Sequence, residues 1–157
     1  PKLKDFLPMS IGAPQENPVM LCSSDWEEVY ADNPGHVSDA AGGPRGGPWN
    51  IFVERDGDYE ISLYRWHPLM KLPLTAGREP QKLTYGSLPA GKALPIAGAK
   101  IEVAGQSFSA AAKSGDIAIT LKTKLKRGAR TKLHAWFTDK NGGDVSGVFY
   151  AMVKRLG

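Results

Sequence analysis

The stretch from Trp49 to Trp66 constrains the fold more than any other part of the chain. It consists of two runs of strand-forming residues that are separated at Asp56-Gly57. In each run, large apolar residues alternate with mostly polar ones, and this period of two predicts two β-strands that each bury one face. The residues predicted to point inward are Trp49, Ile51, Val53, Tyr59, Ile61 and Leu63.

The spacing between the two runs predicts a β-hairpin with the three-residue turn Arg55-Asp56-Gly57. This turn pairs Val53 with Tyr59, whereas a two-residue turn would place Val53 opposite the carboxylate of Glu60. Because a slip of one residue inverts the faces of a strand, burial favours the longer turn. Gly57 then stands at the third turn position, where we expect a left-handed conformation.

Short alternating segments recur along the chain between turn residues, and we count about eight strands and little helix. This pattern predicts an all-β, jelly-roll-like antiparallel β-sandwich. Residues 1–157 are expected to form a single domain, in which residues 1–18 are an extended lead-in and the Pro-rich residues 67–98 are a long connection. The segment 148–153 is apolar on both faces and is therefore expected to lie centrally in a sheet.

Two segments before the hairpin are interpreted from local motifs. Ser24-Asp25-Trp26-Glu27 matches a capping box, which predicts one helical turn through Tyr30. Asn33-Pro34-Gly35 is expected to end that turn, and the glycines and prolines of residues 35–48 predict a loop. This loop fits neither the P-loop nor the dinucleotide fingerprint.

Composition and charge narrow the range of functions. Hydrophobic residues make up 41% and charged residues 23% of the chain, as in soluble globular domains, and no apolar run is long enough to span a membrane. From Lys113 to Lys132 there are seven bases and one acid. This basic strand pair, with Lys122, Lys124 and Lys132, could bind an anionic partner. The favoured alternative is that these bases lie on the solvent side of the two strands and bind no partner. No nucleic-acid recognition motif is present.

The sequence predicts no catalytic and no metal-binding residues. The three histidines, His36, His67 and His134, lie far apart, and nothing resembles a nucleophile elbow or a zinc-ligand spacing. The single cysteine, Cys22, cannot form an internal disulfide and is expected to be a buried strand residue.

Three aromatic residues are candidates for binding a sugar ring. Trp26 lies near a loop, and Tyr64 and Trp66 share the outer face of the second strand. The favoured alternative is that these rings pack against the long connection or a neighbouring domain. Trp49 is predicted to be a core residue, and the exposure of Trp136 is left open.

Four segments in matching order give the chain a resemblance to the C-terminal region of bacterial sulfatases of the arylsulfatase and N-acetylgalactosamine-6-sulfatase kind. The segments are Ile11–Trp26, Gly47–Trp66, the strand pair around Ile117–Leu121 and Thr131–Asp139, and Gly147–Leu156. The resemblance implies a periplasmic or extracellular parent enzyme that hydrolyses sulfate esters with calcium and a formylglycine. The family forms that residue in a C/S-x-P/A-x-R signature, which C-S-S-D-W at Cys22 does not match.

We therefore expect a non-catalytic accessory domain without a cofactor of its own. Its expected partners are the catalytic sulfatase domain of the same polypeptide and an anionic or sulfated polysaccharide, which a tethered weak module would hold near the enzyme. The alternative is an autonomous carbohydrate-binding module that uses Trp26 and Trp66 as platforms.

Overall fold

The computed structural model describes residues 7–31, 34–39 and 44–157, and for Pro34 and Asp39 the backbone alone. These residues form twelve strands and one short α-helix, so the predicted all-β class is confirmed and the count of about eight strands was too low. The elements are β1 (Met9–Ile11), β2 (Val19–Cys22), α1 (Pro34–Asp39), β3 (Trp49–Val53), β4 (Gly57–Tyr64), β5 (Gln81–Lys82), β6 (Ser87–Leu88), β7 (Gly98–Val103), β8 (Gln106–Ala111), β9 (Ile119–Leu125), β10 (Arg130–Thr138), β11 (Asp144–Gly147) and β12 (Tyr150–Arg155).

The strands form two main sheets that enclose one apolar core. The larger sheet has the order β1-β3-β10-β7-β8, with β11 paired to β10, and the smaller sheet has the order β2-β12-β4-β9. All pairs in these sheets are antiparallel except β1 with β3. The chain crosses between the sheets repeatedly, and the buried residues of both inner faces form one cluster. The sandwich prediction is thus confirmed.

The predicted hairpin is wrong, although both of its strands and both of its buried faces are right. β3 pairs with β1 and β10, whereas β4 pairs with β12 and β9 in the other sheet. The six residues predicted to point inward are all at most 1% exposed. Alternation of apolar and polar residues specifies which face of a strand is buried. It does not specify the sheet, because a strand in either sheet of a sandwich can point its apolar face into the core. Gly57 is therefore the first residue of β4 and not a hairpin turn residue, although its positive φ of 153° is a conformation that favours glycine.

The basic strand pair of the sequence analysis is likewise divided between the two sheets. β9 pairs with β4 and β10 pairs with β3, β7 and β11, so the connection 126–129 crosses the sandwich instead of closing a hairpin. Lys122 and Lys124 consequently lie on the outer side of the smaller sheet. Lys132 lies on the outer side of the larger sheet, so the three lysines do not form one surface.

Several irregular segments contain more structure than the sequence indicated. β1 lies inside the predicted lead-in, and β5 and β6 form a small hairpin in the long connection. α1 begins at Pro34, one residue before the predicted loop, and extends into it. The capping-box segment is a 3-10 helix at Ser23–Asp25 without a side-chain cap. The parts of the predicted lead-in and loop at 1–6 and 40–43 lie outside the described residues.

The central position predicted for the segment 148–153 is confirmed by β12. β7 and β8 form a hairpin around Ala104-Gly105, the turn between β10 and β11 lies at 139–143, and β12 lies between two strands of the smaller sheet. None of the helices in the described ranges is long and apolar enough to cross a membrane.

Candidate functional site at the loop-capped end

One end of the smaller sheet, where Tyr150 of β12 pairs with Cys22 and Tyr64, is covered by α1 and by the long connection 67–98. We call this the loop-capped end. Its anchor is Arg65, which directly follows β4 and is fully buried. The Arg65 guanidinium donates hydrogen bonds to the carbonyl of Ala76 at 2.8 Å, to that of Ser38 at 3.0 Å and to that of Lys92. One side chain thus joins the sheet to α1 and to two segments of the connection, at Ala76 and at Lys92.

Trp66 packs the connection from the neighbouring position. Its indole Nε1 donates to the same Ala76 carbonyl at 3.1 Å, and the guanidinium groups of Arg65 and Arg78 lie 4.4 and 5.4 Å from its ring centroid. The backbone amides of Arg78 and Gly91 each donate to the other residue's carbonyl, at 2.9 and 2.6 Å. These two bonds join the early and the late part of the connection to each other. A side chain at Gly91 would collide with the Trp66 ring. The connection is therefore a packed part of the domain.

A cleft of about 410 Å³ lies between the connection, α1 and the edge of the smaller sheet. Its apolar walls include Trp66, Met70 and Leu88. The ring of His67 meets the ring of Tyr150 edge-on, at 5.4 Å between centroids. Burial raises the pKa of the Tyr150 hydroxyl, and the charge of Arg78 lowers it in part. A cleft of this volume with a few polar groups in an apolar wall is typical of ligand or docking sites.

The chemistry available to Cys22 in this cleft is limited. Burial raises the pKa of its thiol, and the carboxylate of Asp25 raises it further. The thiol is therefore protonated at neutral pH, and a protonated thiol is a weak nucleophile and a poor metal ligand. Within the described ranges, no group of three or more His, Cys, Asp or Glu residues is arranged to hold a metal ion.

The structure corrects the predicted exposure of two candidate aromatic residues. Trp26 is buried, with its ring 6.1 Å from that of Trp49 and 5.6 Å from that of Phe149. Trp66 is 3% exposed and packs under the connection, as the alternative interpretation expected. Neither ring is an exposed platform for a sugar. Tyr64 is half-buried on the outer side of β4, and its role in binding stays a prediction.

The three candidate lysines are engaged by carboxylates. Lys132 lies 3.0 Å from Glu28 and 3.3 Å from Glu27, whose hydrogen bonds raise its pKa. Two longer pairs lie across β9 and β4, at 3.9 Å for Lys122 with Glu60 and 4.0 Å for Lys124 with Asp58. Each candidate lysine thus lies beside at least one carboxylate, which reduces the local positive charge.

The connection presents exposed apolar side chains beside the cleft. Leu69 is 83% exposed next to the cleft residue Met70, and Tyr85 and Leu83 are 93% and 42% exposed at the turn of the β5–β6 hairpin. That turn is closed by a hydrogen bond from the Leu83 amide to the Gly86 carbonyl. Single exposed apolar residues are common on protein surfaces, and they indicate an interaction surface where they form one contiguous patch. We call Leu69, Leu83 and Tyr85 the apolar rim.

Sequence reasoning missed Arg65 and Arg78 as the residues that hold this end together. A signal for Arg65 was present, because position 65 continues the inward series 59, 61 and 63 and places a charge where a core residue is expected. A charged residue at such a position is tolerated only when it is well paired. No pattern in the sequence identifies its carbonyl partners, which come from distant segments.

Comparisons with known proteins find little that resembles this chain. No protein-family model matches it, and no curated protein matches it. One solved structure that matches is a ruminal GH26 endo-β-1,4-mannanase, with a TM-score of 0.48 and 11% sequence identity over 89% of this chain. The match spans 26% of that chain. A likeness at this level gives no argument about function.

Proposed function

We propose that this chain is a non-catalytic accessory domain of a sulfatase, and that it docks on the catalytic domain of the same polypeptide through the apolar rim. The parent enzyme, in the periplasm or outside the cell, would carry the calcium and the formylglycine. The assignment to sulfatases rests on the four segments that resemble that family. The docking surface rests on a single structural observation, the exposure of the apolar rim on an anchored connection.

The anchoring is what makes the apolar rim suitable for docking. Arg65 and Trp66 hold the connection through hydrogen bonds that are already formed in the free domain. A surface that is ordered before binding loses less conformational entropy when a partner covers it. Exposed Tyr and Leu side chains can then supply buried apolar area on docking, and Tyr is among the residues that contribute most to binding.

The rival function, an autonomous carbohydrate-binding module with Trp26 and Trp66 as platforms, has lost its main support. Both rings are buried against other parts of the domain. Replacement of either ring by alanine is therefore expected to unfold the domain instead of selectively abolishing sugar binding.

The docking proposal is tested by hydrogen exchange on the full-length gene product that contains this chain. We expect peptides covering 67–70 and 81–88 to exchange more slowly in the full-length protein than in this chain alone. The double variant Leu83→Ser, Tyr85→Ser should abolish that difference and leave the stability of the isolated domain nearly unchanged. The matched control is Ile117→Ser, at an exposed apolar residue outside the connection, which should keep the protection.

Three outcomes would contradict the proposal. Equal exchange of these peptides in both contexts would remove the docking surface. The absence of a C/S-x-P/A-x-R motif from the rest of the gene product would remove the sulfatase assignment. Turnover of a generic aryl sulfate by this chain alone would show that it is catalytic.

A further inference from the structure

A second cleft lies at the opposite end of the smaller sheet, where several crossings between the sheets meet. Its volume is about 720 Å³. The β1–β2, β3–β4 and β9–β10 connections and the end of β12 contribute its lining: Ala13, Pro14, Gln15, Glu54, Arg55, Asp56, Arg127 and Arg155. We call this the arginine end. The cleft brings together three guanidinium groups that are far apart in the sequence.

Hydrogen bonds join the connections that form the arginine end to one another. The Asn17 side chain bonds both the amide and the carbonyl of Arg155, at 2.8 and 3.0 Å. The Arg155 Nε donates to the Asp56 carbonyl at 2.8 Å, and the Arg127 amide donates to Asp56 Oδ1 at 2.5 Å. The cleft is therefore built from fixed segments, although its side chains reach into solvent.

The guanidinium groups at this end differ from the lysines of the two sheets in their partners. All five ion pairs found among the described residues involve lysine, and none involves Arg55, Arg127 or Arg155. The nearby carboxylates bond to other groups, since Glu54 Oε1 accepts from the Ser10 hydroxyl at 2.7 Å. Arg55 and Arg127 thus have side-chain donors available for a ligand.

We propose that the arginine end binds an acidic saccharide, meaning a sugar chain that carries carboxylate or sulfate groups. Arginine presents a planar set of donors that matches carboxylate and sulfate oxygens in pairs. The cleft also contains two carboxylates and the Gln15 amide, which accept hydrogen bonds from hydroxyl groups. A ligand with hydroxyl groups beside an anionic group satisfies both sets, whereas the backbone of DNA presents phosphates without hydroxyl groups to bond Glu54 and Asp56.

This inference goes beyond the docking function and does not depend on it, because the two surfaces lie at opposite ends of the smaller sheet. The Leu83→Ser, Tyr85→Ser variant should leave saccharide binding unchanged. Conversely, substitutions at Arg55 and Arg127 should leave the exchange of peptide 81–88 unchanged. Failure of one proposal can thus be told from failure of the other.

The test is a calorimetric titration of the chain with three oligosaccharides of equal length: one of uronic acids, one sulfated and one neutral. We expect at least one acidic oligosaccharide to bind, with weaker binding when the salt concentration is raised from about 20 to about 200 mM, since salt screens exposed charges. Arg127→Gln and Arg55→Gln should each raise the dissociation constant about tenfold, as expected when one charged hydrogen bond is lost. The comparison of carboxylate with sulfate identifies the anionic group.

The matched control is Lys122→Gln, which removes the same charge from a lysine that is paired with Glu60 and should change the dissociation constant by less than about twofold. The proposal is overturned if no acidic oligosaccharide binds or if the neutral one binds equally well. It is also overturned if Lys122→Gln weakens binding as much as Arg127→Gln does, or if an oligonucleotide of equal charge binds more tightly.

Discussion

The two ends of the smaller sheet use arginine in opposite ways. At the loop-capped end, Arg65 is fully buried and its guanidinium is bonded to backbone carbonyls of three segments. At the arginine end, Arg55 and Arg127 are exposed and make no ion pair with a described carboxylate. The same side chain is therefore a structural anchor where it is buried and a candidate ligand-binding group where it faces solvent.

The largest expected difference between the ends is in stability. Arg65→Leu removes a charged donor from three carbonyls, although those of Ala76 and Ser38 keep the Trp66 indole and the Lys92 amide. It is expected to lower the free energy of unfolding by about 3–5 kcal/mol, since three hydrogen bonds to a charged group are lost. Arg127→Leu, at an exposed position, is expected to change it by less than about 0.5 kcal/mol. Urea denaturation of both variants measures the difference. Equal losses would mean that Arg65 is not the anchor of this end.

A smaller effect is expected at the contact between Gly91 and Trp66. Gly91→Ala introduces a methyl group into the space of the indole and is expected to cost about 1–3 kcal/mol. In a Trp66→Phe background the colliding ring atoms are absent, so the same change should cost less. A double-mutant cycle by urea denaturation tests this coupling, and additive costs would exclude the proposed contact.

Alkaline pH should affect the loop-capped end through Cys22. Burial and Asp25 raise the pKa of this thiol above its ordinary value of 9.0. Because the folded state favours the protonated form, its contribution to stability is complete below the ordinary pKa and is lost as the pH rises through the folded pKa. Cys22→Ser removes this titration. The variant should lose less stability than the wild type between about pH 8 and about pH 10, and an identical pH dependence would contradict this.

The smallest effect is expected for the lysine pairs on the sheet surfaces. Lys122→Gln breaks a pair with Glu60 that is 3.9 Å long and mostly exposed, and it should change the free energy of unfolding by less than about 0.5 kcal/mol. A loss comparable to that of Arg65→Leu would mean that exposed charge pairs, and not the buried guanidinium, dominate the stability of the smaller sheet.

The sequence was sufficient for the strands and their buried faces, because alternation of apolar residues reports burial directly. Trp49, Ile51 and Leu63 are buried as their positions predicted. The sequence was insufficient for strand pairing. Local turn chemistry favoured a hairpin at Gly57, but both strands find their partners in opposite sheets, from segments more than fifty residues away such as β9 and β10.

The candidate site was predicted less well than the fold. Trp26 and Trp66 were proposed as platforms because they lie near loops, and a sequence does not show which distant residues pack against an aromatic ring. In the folded chain, Phe149 and the connection 67–98 supply those neighbours. The division of Lys122 and Lys132 between the sheets has the same origin as the hairpin error, since it follows from long-range pairing that no local pattern encodes.

The central claim is that residues 67–98 form a locked surface held by Arg65, and amide hydrogen exchange measured by NMR on this chain tests it most directly. The amides of Arg78, Gly91 and Lys92 donate to the carbonyls of Gly91, Arg78 and Ser38. We predict that these three amides exchange nearly as slowly as those of β4 in the wild type, and that Arg65→Leu accelerates them much more than Arg127→Leu does. Exchange at the rate of an open loop in the wild type would contradict the account.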